Sequence, residues 1–118
     1  MTENTRTIER YLEGFRRTDR AQVLSCLTDD VEWDVPGLFT ARGREAFGAH
    51  LVEEGFAGSP RIALTRLIEQ QDVVVAEGTV DTQRADGTVL HLAFCDVFEM
   101  QGGRIRRLVS YLMTTPGP

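Results

Sequence analysis

Apolar residues recur at helical spacing in the first half of the chain and at every second position in the rest. Ile8, Tyr11, Leu12 and Phe15 fall on one helical face. Asp19, with Gln22 three residues on, caps a second helix that buries Val23, Leu24 and Leu27 and ends at Asp29-Asp30. Residues 31–35 predict a short strand stopped by Pro36-Gly37, and a third helix runs from about Arg44 to Glu54 with Phe47 and Leu51 facing inward. Past the loop Ala57-Gly58-Ser59-Pro60 the period becomes two. Residues 62–69, 72–83, 89–100 and 104–113 predict four strands, with turns at Ala85-Asp86-Gly87 and Gln101-Gly102-Gly103.

Helices followed by a meander of strands predict an α+β domain, with three N-terminal helices on one face of an antiparallel sheet. Strands this long twist strongly, so the sheet should curl around the helices and leave a cone-shaped cavity. The chain carries no repeat, low-complexity tract or linker, and residues 1–118 read as one domain.

Alternation puts Leu90, Leu92, Phe94, Asp96 and Phe98 on one face of a single strand. Four are large and apolar, and an ionised carboxylate among them is costly unless paired or kept protonated. Asp96 is therefore the first candidate for chemistry. The opposite face carries Val89, His91, Ala93, Cys95 and Val97, extended by Ile105, Val109 and Tyr111. That row is too apolar for an open sheet face in water, which predicts a homodimer through the sheet.

A net charge of -5 argues against nucleic acid as a partner, since binding it needs a basic stripe. Arg104, Arg106 and Arg107 cluster near one hairpin and read as a solvated edge. Cys26 and Cys95 match neither a metal-ligand spacing nor a disulfide framework, and read as reduced packing residues. His50 and His91 lie apart, so no metal site is expected. No apolar signal region or membrane-length run is present, which predicts a cytoplasmic protein with no membrane partner.

Three local signatures, LTDDVEWDVPG, ARGREAF and DVFEMQGGRI, together with this order of elements, resemble the NTF2-like superfamily in its SnoaL-like and ketosteroid isomerase-like branches. The resemblance covers roughly residues 6–113 and implies a cystatin-like cone: helices on a strongly curved, antiparallel or mixed sheet. It implies cofactor-independent proton transfer next to a carbonyl, as in an isomerase or a polyketide cyclase, on a small hydrophobic or polycyclic ligand. The superfamily also holds non-catalytic binding and dimerisation modules, and fold alone does not choose among these.

In ketosteroid isomerases a helix tyrosine and a protonated strand aspartic acid donate to an enolate oxygen while a second aspartate moves the proton. Tyr11, in IERYLEGF, matches the tyrosine, and Asp96, in FCDVFEM, matches the strand acid. Aligned on the Pro36-Gly37 turn, Asp34 takes the place of the base. Aligned on Asp29-Asp30, Val35 stands there and Trp33 turns inward, the arrangement favoured by VEWDVPG. Alternation admits only one of Trp33 and Asp34 to the cavity unless a bulge intervenes. Leu12, Phe15, Trp33, Phe47, Leu92, Phe94, Leu108 and Leu112 are expected to form the wall, with Ser110 on the last strand. The acid–arginine–acid relay of limonene-type epoxide hydrolases maps onto Thr79, Asp81 and Ser110, which lack the arginine and one acid.

Overall fold

A computed structural model of the chain describes residues 2–53, 60–83 and 86–116. The first helix, α1 (Glu3–Arg16), opens with a reciprocal cap. The Thr5 N–H donates to Thr2 Oγ1 at 3.1 Å, and the Thr2 N–H donates to Thr5 Oγ1 at 3.0 Å. Ile8, Tyr11 and Leu12 are buried on its inner face. Asp19 caps α2 (Arg20–Ser25), accepting from the Gln22 N–H at 3.1 Å. The chain then runs through β1 (Leu27–Val35), β2 (Phe39–Arg42) and α3 (Arg44–Glu53). The remaining strands are β3 (Arg61–Gln70), β4 (Val73–Gln83), β5 (Val89–Gln101) and β6 (Arg104–Thr114).

The six strands form one sheet in the order β2-β1-β6-β5-β4-β3. All neighbours are antiparallel except β1 and β6, which are parallel. The sheet is therefore mixed, and it curls around the helices in the α+β arrangement expected. The turn between β5 and β6 uses Gly102 and Gly103, both at positive φ, which glycine adopts without steric cost.

Three expectations need correction. Asp29-Asp30 does not close α2: it lies inside β1, which begins at Leu27 and carries an irregularity in its pairing with β6 between Leu27 and Glu32. The four-residue strand β2 went unread, because it is too short to show a period. Ile105 is not on the outer face but fully buried in the core. A bulge shifts the β5–β6 register between Glu99 and Met100, so Ile105 pairs with inward-facing Met100 and the parity of β6 inverts there. The third helix starts at Arg44 as expected; Glu54, most of the following loop, and Ala85 of the β4–β5 turn fall outside the described residues.

The inner sheet face serves two purposes. α1 has 14 residues and is about 21 Å long, whereas the 13 residues of β5 extend about 43 Å. Helices cover the end of the strands that carries Val74, Ala76, Phe98, Met100, Ile105 and Leu108, all buried. Leu90, Leu92, Val80 and Leu112 continue the same face past that cover. The boundary between core and open space falls at Asp96.

Gly78 sits at that boundary, paired with Phe94 across β4–β5. A Cβ there would lie 2.2 Å from the Ala63 carbonyl oxygen on β3 and 3.0 Å from the Phe94 ring. The close approach of β3 and of the Phe94 ring therefore requires glycine. Gly78→Ala should destabilise the fold by about 1–3 kcal/mol, as overpacked sites do, measured by urea unfolding at fixed pH.

Candidate active site

An apolar cavity of about 520 Å³ opens between the helices and the uncovered end of the sheet. Its wall includes Leu12 and Phe15 from α1, Trp33 and Val35 from β1, and Leu92, Phe94 and Leu112 from β5 and β6. Tyr11, Asp96 and Ser110 bring polar atoms to it. Asp96 is the one carboxyl among the described residues lining this space, and no arginine, lysine or histidine lines it there.

Each of these groups is placed by an element already described. Tyr11 projects from the buried stripe of α1, its ring edge-on to Phe15, Phe98 and Phe47 at centroid distances of 5.0, 5.4 and 6.3 Å. Phe47, fully buried on α3, also stacks on Trp33 at 4.3 Å and 22°. One ring thus holds both the tyrosine and the tryptophan. Asp96 and Ser110 face each other across β5–β6. The Trp33 Nε1–H donates to Ser110 Oγ at 3.0 Å, a buried bond. The Ser110 hydroxyl, opposite Asp96 across these strands, favours the charged form of its carboxyl. The Tyr11 hydroxyl makes no hydrogen bond with a described residue, although it lines the cavity.

Burial governs the protonation of this group. Asp96 is 9% exposed, and desolvation pushes its pKa up to about 7, partly restrained by the Ser110 bond to the charged form. Burial holds the Tyr11 phenol well above its ordinary value, and the Asp96 charge adds to the effect. At neutral pH Tyr11 is a donor, and Asp96 is divided between acid and carboxylate.

Of the residues read from the sequence, Tyr11, Leu12, Phe15, Trp33, Leu92, Phe94, Asp96, Ser110 and Leu112 line the cavity. Phe47 and Leu108 do not; both are fully buried behind the wall, where they support it. Asp34 lies on the other face of β1. Val31, Trp33 and Val35 share a parity and are buried together, which leaves Asp34 to accept from Thr40 Oγ1 at 3.2 Å. No bulge separates Trp33 from Asp34, so the tryptophan faces inward. On β4 the inward residues are Val80 and Thr82, not Thr79 and Asp81. Asp81 instead meets His91 Nδ1 at 2.7 Å on the outer face. His50 stacks on Phe39 at 3.8 Å, edge-on to Trp33. Sequence reasoning missed Phe39, on unread β2, and Thr82, whose parity with Val74, Ala76 and Val80 was available. Among the described residues no three His, Cys, Asp or Glu side chains converge as metal ligands, and no helix there is long and apolar enough to cross a membrane.

A mixed, curled sheet closed by three helices over an apolar cavity defines the class: an α+β protein of NTF2-like architecture. The model of the SnoaL-like domain matches residues 8–108, and the chain belongs to that family. An NTF2-like protein from Burkholderia pseudomallei is similar, with a TM-score of 0.85 and 27% identity over 96% of this chain and 92% of that one. TerC, crystallised with polyporic acid, has a TM-score of 0.81 and 30% identity over 92% of this chain and 90% of its own. An LEH-like epoxide hydrolase from M. tuberculosis shares the fold, with a TM-score of 0.83 and 24% identity over 94% and 83% of the two chains. No functionally curated protein matches the chain.

The raised pKa of Asp96 fixes the sign of a stability effect. The unfolded side chain titrates near 3.9, and the folded one near 7. The acid's contribution is fully present below about 3.9 and is lost as pH rises through about 7, because the native state holds a proton that the unfolded chain releases. Asp96→Asn should therefore change stability little at pH 4 but raise it at pH 8, by on the order of 2–4 kcal/mol. Denaturant unfolding of both proteins at the two pH values measures this.

Proposed function

We propose that the cavity binds a small hydrophobic, ring-containing carbonyl compound and catalyses proton transfer at the carbon next to its carbonyl, without a cofactor. The observation that carries this reading is one buried carboxyl, poised near neutrality, sharing an apolar cavity with an undissociated tyrosine. A general acid–base works best when its pKa lies near the working pH. In its carboxylate form Asp96 removes the α-proton; the Tyr11 hydroxyl donates to the enolate oxygen that develops. In a substrate with a second carbonyl, the enolate carbon attacks it and forms the ring bond. The resulting alkoxide recovers the proton from Asp96, so one carboxyl serves both transfers.

This arrangement favours a cyclase over a ketosteroid isomerase-type shift, because Asp34, the base expected for that shift, faces away from the cavity. An epoxide hydrolase relay lacks its arginine among the described lining residues. The co-crystallisation of TerC with polyporic acid supports a pocket suited to a small organic ligand.

The test is α-proton exchange of α-tetralone in deuterated water, followed by NMR, beside binding of substituted naphthols and of polyporic acid. Exchange should rise as pH passes about 7. Asp96→Asn should lower it by about 10²-fold or more, and Tyr11→Phe should weaken naphthol binding by about 1.5–3 kcal/mol. Naphthol binding with no exchange at any pH would make the protein a non-catalytic binder; no binding at all would remove the donor pair.

The outer sheet face supports a homodimer. Val89, Tyr111 and Met113 are exposed there beside half-buried Ala93, Cys95 and Val97. Ala93→Arg should convert a dimer to monomers or aggregates, and light scattering of the parent at micromolar concentration should give twice the chain mass.

A further inference from the structure

Ser110 has one proton and two lone pairs, and its neighbours decide how they are used. The Trp33 Nε1–H is a donor only, and it occupies one lone pair of Ser110 Oγ at 3.0 Å, with both side chains buried. The serine proton is left unused by that bond, and the cross-strand partner of Ser110 is Asp96, whose charged form the hydroxyl favours. A carboxyl with one oxygen held as an acceptor has a single oxygen left for the cavity.

We propose that Trp33 and Ser110 are positioning residues that fix one Asp96 oxygen as a permanent acceptor and leave the other as the atom that exchanges a proton with the ligand. The chain of donors runs one way, from the indole to the hydroxyl to the carboxyl. When Asp96 is protonated, its O–H points into the cavity, so the site selects ligands that offer an oxygen acceptor there: a carbonyl, enolate or phenolate. This deepens the proposed function and rests on its assignment of Asp96, but the relay is observable without any ligand.

Trp33 is the single tryptophan of the chain, so its indole N–H gives one unambiguous NMR resonance. The titratable groups around the relay are Tyr11 on α1, Cys26 at the end of α2 and His50 on α3, which meets the indole edge-on at 6.5 Å. Cys95 lies on the opposite face of β5 and couples to Asp96 through space. From β4 the cross-strand neighbour is Ala76, and from β2 the ring against Trp33 is Phe39; neither ionises.

The experiment follows the indole resonance of the whole protein between about pH 5 and 9, beside the carboxyl resonance of Asp96. The indole should move with the midpoint of Asp96. Asp96→Asn should abolish that step. Ser110→Ala should uncouple the indole from the acid and move the Asp96 midpoint upward, since a bond to the charged form is lost. Ser110→Thr, which keeps the hydroxyl, should restore both. Trp33→Phe should weaken 1-naphthol binding at pH 6 by about tenfold, the worth of one hydrogen bond. An indole step that persists in Asp96→Asn, or survives unchanged in Ser110→Ala, would overturn the relay. Coupling without naphthol binding would sustain the relay and sink the proposed function instead.

Discussion

A helix of 14 residues cannot cover a strand of 13, because a residue advances the chain less than half as far in a helix as in a strand. The rest of this molecule follows from that mismatch. The sheet must curl to bring its inner face onto the helices, and the helices end before the face does. What remains is apolar surface with no protein to bury it. The same alternation that builds the core from Phe98 and Met100 therefore lines the cavity with Phe94 and Leu92. Core and cavity are one pattern, divided only by where the helices stop.

Asp96 stands at that division. Deeper in the core a carboxyl would need a full set of partners, and nearer the mouth water would return it to an ordinary acid. Here it has the Ser110 hydroxyl opposite it and the cavity on its other side. The aromatic packing below it is correspondingly stiff: Phe47 braces Tyr11 and Trp33 together, so two polar groups from different elements share one support. A site of this kind is preorganised by its core rather than by its loops.

Much of this was legible in the chain, for identifiable reasons. Period-two runs gave β3 to β6 nearly to the residue, because long strands with one buried face specify their register strongly. The helix tyrosine and the strand acid could be named because an acid in the run LHLAFCDVF breaks an otherwise apolar face. Depth was not legible. Periodicity tells which way Phe47 and Leu108 face, and both face inward, but whether a side chain touches the cavity or lies beneath its wall depends on packing from other elements. Bulges were not legible either, which is why Ile105 was read on the wrong side. The Trp33–Ser110 bond joins residues 77 apart in sequence, and no local pattern reports it.

The parallel pairing of β1 with β6 has a consequence for how the protein is made. β1 leaves the ribosome before β3 to β6, so of its two sheet neighbours it has β2 early, while β6 follows after β3, β4 and β5. During that interval Val31, Trp33 and Val35 have no sheet to enter, and the contacts that close the domain are among its least local. The cavity wall is thus the seam of the molecule, completed only when β6 joins β1. A nascent chain halted before β6 would carry α1 to α3 and β1 to β5, yet present the adhesive free edge of β1 in place of a pocket.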